Sequence, residues 1–175
     1  ARHLSCGQHI RHDGRTHETG PKRPRRIRRS KALFKTILVP IDMYAESIPA
    51  QQLTVAKRFA EADSGKIIVL YVMPAIPGYA QSALPSGTHE SVLSEAKKKL
   101  EEIVQTAGLT GSAELVLLEG KPARAILDYA EETEADLIIM ASHDPNITDY
   151  LLGSTAARVV HHAHCSTFII RKLKD

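Results

Sequence analysis

Short apolar runs alternate with amphipathic stretches from residue 34 onward. Five runs rich in branched aliphatic residues predict buried strands, at residues 34–40, 66–73, 113–118, 136–140 and 167–170. The stretches between them repeat apolar residues at helical spacing, as Val92, Ala96 and Leu100 do within residues 91–107. The pattern predicts the order β-α-β-α-β-α-β-α-β.

Capping and breaking residues mark the ends of the predicted helices. Ser47 is a candidate N-cap of the first helix, and Gly65 is the expected end of that helix. Pro122 suits the first turn of the third helix, and the last helix is expected from about Ser154. Strands that alternate with helices predict an α/β fold with a doubly wound, five-stranded parallel sheet, Rossmann-like, with helices on both faces. The expected strand order is 3-2-1-4-5, which places the ligand site where the first and fourth strands diverge.

Two strand ends and one helix start carry the candidate chemistry. The first strand runs into Pro40-Ile41-Asp42, and the carboxylate of Asp42 could accept hydrogen bonds from ribose or serve only as a turn residue. A helix begins at Gly153-Ser154-Thr155, where a glycine and N-terminal amides suit a phosphate, although the same residues could simply cap the helix. The chain contains neither a Walker A sequence nor a G-x-G-x-x-G turn.

The motifs ILVPID, IIMASH and LLGSTAARVVHHAHCSTFIIR, in this order, resemble those of the universal stress protein family. The resemblance spans residues 34–173 and is strongest to the F/G-type bacterial members, which bind ATP. It implies that adenine and ribose are surrounded by Pro40, Ile41, Asp42, Val72 and Met140. It further implies that the sugar-phosphate turn is lined by Ala141, Ser142 and His143, and that phosphate is held by Gly153, Ser154 and Thr155.

Two residues depart from the family's phosphate-binding glycine motif. Ala141 and Asp144 stand where ATP-binding members carry glycine. A carboxylate facing a triphosphate would be repelled unless a cation intervened or the side chain turned outward to solvent. The implied function is binding of ATP, AMP or ADP with magnesium in a stress response. Slow hydrolysis or self-phosphorylation is the most that the resemblance implies, and we assign no catalytic residue. The alternative is a dimeric scaffold or signalling protein that does not bind nucleotide.

The fifth strand is expected at an edge of the sheet. An apolar edge invites pairing with a second copy of the chain, and the resemblance also implies a homodimer. The residues expected at this interface are Thr167, Phe168, Ile169 and Ile170.

The charge of the chain is concentrated in its first 31 residues. The net charge is +3 and the isoelectric point is about 8.9, yet residues 1–31 carry ten Lys and Arg against two acids, and residues 32–175 are net acidic. We therefore expect a basic tail without structure, residues 1–31, before one domain, residues 32–175. The tail could be a leader foreign to the protein, an upstream extension from a mis-assigned translation start, a nucleic-acid-binding arm or a mitochondrial transit peptide. Its loss would remove strongly salt-dependent binding if it bound nucleic acid.

Neither the cysteines nor the apolar runs indicate export or membrane insertion. Cys6 and Cys165 offer no disulfide framework, and no apolar run approaches the ~20 residues of a membrane span. We expect a cytoplasmic protein without membrane contact. The run His161-His162-Ala163-His164-Cys165 contains metal-ligating residue types, but neighbouring helix positions diverge by about 100°, and we expect no metal site.

Overall fold

The computed structural model describes residues 32–43, 45, 48–75, 87–142 and 152–171. The predicted alternation of strands and helices is confirmed, and the basic tail lies outside the described residues. In chain order, the elements are β1 (Thr36–Pro40), α1 (Ile48–Asp63), β2 (Lys66–Met73), α2 (Thr88–Thr106), β3 (Ala113–Glu119), α3 (Pro122–Glu132), β4 (Leu137–Ser142), α4 (Ser154–His162) and β5 (Ser166–Arg171).

The five strands form one parallel sheet in the order β3-β2-β1-β4-β5, as predicted. β1 pairs with β2 along its whole length, from Thr36 opposite Lys66 to Pro40 opposite Leu70. Its pairing with β4 is much shorter, because only Ile37 and Leu38 have partners there, Leu137 and Ile138. The two strands therefore part before their carboxyl ends, which is where a doubly wound sheet opens a ligand crevice.

Alternate residues of the central strands enter two separate cores. On one face, Ile37 and Val39 of β1 pack with residues of α1 and α2, including Leu53 and Leu100. On the other face, Leu38 packs with residues of α3 and α4. β1 is fully buried, and a strand covered on both faces explains why its sequence is a continuous apolar run.

The ends of α1 and α3 are closed in the same way. Ser64 and Glu134 adopt left-handed backbone conformations, with φ of 55° and 48°. The amide of the next residue then donates to a carbonyl five residues back, from Gly65 to Ala60 at 2.9 Å in the case of α1. The expectation that Gly65 ends α1 is therefore wrong by one residue. Gly65 is needed for a different reason, since a Cβ there would overlap the carbonyl oxygen of Phe34.

Two aspartates close the amino-terminal edge of the sheet around the start of β1. Asp63 Oδ2 accepts hydrogen bonds from the amides of Leu33 and Phe34, both at 2.8 Å. Asp136 Oδ2 accepts from the amides of Lys35 and Thr36 at 2.8 and 2.9 Å. Four consecutive backbone donors are thereby satisfied by two carboxylates.

Three phenylalanines form a row of edge-to-face rings beside this edge. Phe59 of α1 lies between Phe34 and Phe168, with ring centroids 5.4 and 5.7 Å apart. The row links the start of β1 to β5, where Phe168 remains 40% exposed.

None of the helices in the described ranges combines the length and apolar character that a membrane crossing demands.

Candidate functional site

A cavity of about 420 Å3 lies at the carboxyl edge of the sheet, where β1 and β4 diverge. The ends of β1, β2 and β4, one side of α1 and the starts of α3 and α4 contribute to its wall. The lining residues are Pro40, Ile41, Asp42, Ala45, Ile48, Gln52, Leu70, Tyr71, Val72, Pro74, Pro122, Ile126, Met140, Ala141, Gly153, Ser154, Thr155 and Ala156. The volume falls within the range of about 300–1,000 Å3 typical of small-molecule pockets.

The segment after β1 forms one wall. The amide of Ile41 donates to Leu70 O at 2.9 Å, which extends the pairing of β1 and β2 one residue beyond the strand. Asp42 follows at an exposed position, and its carbonyl accepts from the amide of Ala45 at 3.2 Å. The turn keeps Asp42 beside the cavity, where it is the only carboxylate among the described lining residues.

The floor of the cavity is apolar. Val72 and Met140 are 8% and 5% exposed, and both belong to the core under α3 and α4. Ile126 of α3, which is 3% exposed, joins them from the same side. A flat apolar group of a ligand would be removed from water on this surface.

The amino terminus of α4 forms the polar end of the cavity. Its N-cap is Gly153, which has no side chain with which to cap the first-turn amides. Gly153 has φ −54° and ψ 150°, a conformation open to every residue, so backbone geometry does not require glycine here. Gly153 lines the cavity without a side chain, next to the exposed Ser154.

The structure brings most of the sequence-predicted site residues to this one cavity. Of those that the structure describes, all line it except Ser142. Ser142 is the last residue of β4, in register with Arg171 of β5 and outside the cavity wall. His143 and Asp144, the residue that departs from the family motif, lie outside the described residues.

Sequence reasoning missed Gln52 of α1. This side chain is 1% exposed, and its Nε2 donates to Pro40 O at 2.9 Å and to Ile139 O at 3.1 Å. A signal was present, because Gln52 lies one helical turn before the buried Ala56 and is a polar residue on the apolar stripe of α1. Pro122 and Ile126 of α3 were also missed, since their apolar character indicated only the core.

A second hollow, of about 640 Å3, is larger but chemically different. It lies where α3 and α4 end, and Glu131, Glu134 and the segment from His161 to Cys165 line it. Helix C-termini and carboxylates repel anions, so this hollow does not suit a phosphate. Among the described residues, no group of three His, Cys, Asp or Glu is arranged to hold a metal ion.

Comparison with known proteins identifies the family of this chain. The sequence profile of the universal stress protein family matches residues 33–171. This chain belongs to the universal stress protein family. Universal stress protein MJ0531 of Methanocaldococcus jannaschii is 33% identical over 153 residues, which cover 85% of this chain and 88% of that protein.

Solved structures of other universal stress proteins share the fold. The protein UspA of Lactobacillus plantarum is 28% identical and superposes with a TM-score of 0.65, over 79% of this chain and 98% of that one. The universal stress protein of Archaeoglobus fulgidus, solved in complex with dAMP, is 23% identical with a TM-score of 0.54, over 79% of this chain and 98% of that one.

Proposed function

We propose that this universal stress protein binds an adenine nucleotide in the cavity at the carboxyl edge of its sheet. The observation that carries the proposal is the convergence, on one cavity, of an uncapped helix N-terminus, an apolar floor and the carboxylate of Asp42. A nucleotide has three matching parts, which are phosphate, base and sugar. The dAMP complex of the Archaeoglobus fulgidus relative supports the proposal by analogy.

The phosphates belong at the start of α4. Backbone amides without a side-chain cap and the positive end of the helix dipole both favour an anion there. Gly153 leaves room for a phosphate to approach, and the hydroxyls of Ser154 and Thr155 add donors at the cavity. Magnesium would enter with ATP, because this ion is commonly bound through phosphate oxygens and only one or two carboxylates.

The base and the sugar belong nearer to β1 and β2. Val72, Met140 and Ile126 offer an apolar surface for the adenine ring. Asp42, at the exposed turn after β1, is a carboxylate acceptor for ribose hydroxyls. ATP, ADP and AMP share these two parts, so the same site accommodates all three and the affinity differs with the number of phosphates.

A second candidate function, a dimeric scaffold, is favoured by the outer edge strand. Within the described part of the chain, β5 pairs only with β4, and Phe168 on it is 40% exposed. An unpaired apolar edge suits pairing with a second copy through residues 167–170. The proposed nucleotide site lies at the carboxyl ends of the strands, and the proposed dimer interface lies along the outermost strand, β5. The two functions are therefore compatible. We further propose a cytoplasmic location, supported by a free thiol at Cys165.

Calorimetric titration of the full chain with ATP and magnesium tests the nucleotide site. We expect a Kd in the micromolar range for the parent and binding at least about a hundredfold weaker for Gly153→Val, whose side chain would occupy the space in front of α4. Because φ at Gly153 is open to valine, the variant should fold normally. Ala157→Val, at an exposed position of the same helix, is the matched control and should bind as the parent does.

The outcomes separate the two candidate functions. Equal affinity of the parent and Gly153→Val for ATP would show that the phosphates do not bind at the start of α4. If the parent binds no nucleotide while sedimentation of the same sample shows a dimer, the nucleotide proposal is wrong and the scaffold function stands.

A further inference from the structure

Gln52 is the most deeply buried side chain that carries polar atoms in the wall of the cavity. It is 1% exposed, on a helix face otherwise occupied by apolar residues such as Leu53 and Ala56. Burying a primary amide costs free energy unless its hydrogen-bonding groups find partners. The arrangement of its two ends therefore indicates what this side chain does.

The amino group of Gln52 holds β1 and β4 together beyond the end of their own pairing. The last paired residues of these strands are Leu38 and Ile138, and Nε2 bridges the carbonyl oxygens of Pro40 and Ile139 further along. Both partners are acceptors, so the amino group and not the amide oxygen must face them. The orientation of the amide is thus determined by its surroundings.

The amide oxygen, Oε1, faces the cavity. Both hydrogen bonds that the structure gives Gln52 are made by Nε2. Within the described part of the chain, no fully buried polar side-chain atom lacks a partner. Oε1 must therefore retain access to open space, and the space beside Gln52 is the cavity.

We infer that Gln52 is a specificity-determining residue whose Oε1 accepts a hydrogen bond from an N–H or O–H donor on the nucleoside half of the ligand. The inference rests on the proposed function, because it concerns the ligand of that same cavity. Two groups of an adenine nucleotide have this chemistry, the exocyclic amino group of the base and a ribose hydroxyl. A phosphate or an oxo group has only acceptors and would be repelled at this point.

The locked orientation is what makes the acceptor selective. A glutamine free to rotate could present its amino group to an oxo-bearing ligand and bind it equally well. Gln52 cannot do so without breaking both bonds to Pro40 O and Ile139 O and leaving these carbonyls without donors. A ligand that lacks the donor should therefore bind about tenfold more weakly.

A comparison of four nucleotides on three forms of the full chain tests the inference. The ligands are ATP, purine riboside triphosphate, in which hydrogen replaces the amino group, and 2′-deoxy- and 3′-deoxy-ATP. The proteins are the parent, Gln52→Met, which keeps the length of the side chain without an acceptor oxygen, and Gln51→Met, at an exposed neighbouring position. Affinities are measured by calorimetry and compared as ratios within each protein.

We expect the parent and Gln51→Met to bind ATP about tenfold more tightly than one of the analogues, and Gln52→Met to lose most of that preference. The analogue concerned identifies the donor as the base or a ribose hydroxyl. Gln52→Met leaves Pro40 O and Ile139 O without their donor, which could weaken the binding of all four nucleotides equally. Such a uniform loss does not change the ratio of two affinities measured on the same protein. If Gln52→Met keeps every ratio of the parent, the inference is overturned while the proposed function stands. If the parent binds none of the four, both are overturned.

A measurement on the unaltered protein covers the case in which Gln52→Met does not fold. The side-chain carbon of Gln52, labelled with 13C, should shift on saturation with ATP and shift less with the analogue that lacks the donor. Equal shifts with all four nucleotides would overturn the inference.

Discussion

The amino and carboxyl edges of the sheet differ in how their hydrogen-bonding groups are satisfied. At the amino edge, Asp63 and Asp136 satisfy four consecutive backbone amides at the start of β1. At the carboxyl edge, the N-terminus of α4 has no side-chain cap and Oε1 of Gln52 has no donor among the described residues. At the amino edge the chain satisfies these groups itself, whereas at the carboxyl edge the groups named above find no such partner among the described residues.

The difference predicts that stability and ligand binding depend on separate ends of the sheet. β1 spans five residues, about 16 Å at ~3.3 Å per residue, so its two ends do not share hydrogen-bonding partners. Changes at the amino edge should therefore alter the free energy of unfolding without altering ligand affinity. This expectation is tested by substitutions at the amino edge, with the free energy of unfolding and the ligand affinity both measured.

The largest effect is expected from Gly65→Ala. The added methyl group would overlap Phe34 O and also lie 3.3 Å from Lys35 O, and both are backbone atoms that cannot rotate away. We expect the free energy of unfolding in urea to fall by about 3 kcal/mol, with ATP affinity of the folded protein unchanged.

Gly108→Ala is the matched control for this change. Gly108 has φ 67° but no atom within 4 Å of an added Cβ, so only backbone strain of about 1 kcal/mol is expected. Equal losses in the two variants would show that Gly65 is not required for the close approach of β1.

A smaller loss, of about 2 kcal/mol, is expected for Asp136→Ala. The substitution removes the acceptor of the amides of Lys35 and Thr36, and hydrogen bonds to a charged group are stronger than neutral ones. Asp128→Ala, which breaks an exposed pair with Arg124 at 3.3 Å, is the control and should change stability by less than about 0.5 kcal/mol. A weaker nucleotide affinity in Asp136→Ala would refute the independence of the two edges.

The smallest effect concerns alkaline pH. Burial, and to a lesser extent the charge of Asp136, raises the pKa of the Cys165 thiol above its ordinary value of 9.0. The folded state then holds this proton more tightly than the unfolded state, so the contribution to stability is present below pH 9 and is lost as pH rises through the folded pKa. Urea unfolding between pH 7 and 10.5 should show the decline, and Cys165→Ala should lessen it. An identical pH dependence in the variant would contradict this assignment.

Most of the fold could be predicted from the apolar pattern because the chain alternates its elements so regularly. β2 was predicted with its observed bounds, and the starts of α3 and α4 at Pro122 and Ser154 were also predicted. The end of α1 was not, because glycine favours left-handed conformations and Ser64 does not, yet Ser64 adopts one. Tertiary contact with Phe34 O decides the position of Gly65, and local propensity cannot reveal such contact.

The candidate site was likewise predicted from the sequence only in part. Asp42 comes just after β1, and Gly153 comes just before α4. Topology alone therefore predicts that the two residues meet at the carboxyl edge of the sheet. Gln52 could not be assigned a role from the sequence, because its partners, Pro40 O and Ile139 O, are backbone atoms 12 and 87 residues away. Periodicity predicts which face of a helix is buried, but it does not identify the distant carbonyl groups that a buried amide contacts.

The row of aromatic rings gives the protein a natural set of spectroscopic labels. Phe34, Phe59 and Phe168 are all the phenylalanines of the chain, which also lacks tryptophan. Biosynthetic incorporation of fluorophenylalanine would place every fluorine nucleus along one line, from the entry of β1 across α1 to the outermost strand. Fluorine resonance spectra of this protein would then report on the start of β1, on α1 and on β5, and none of the labelled residues lines the candidate cavity.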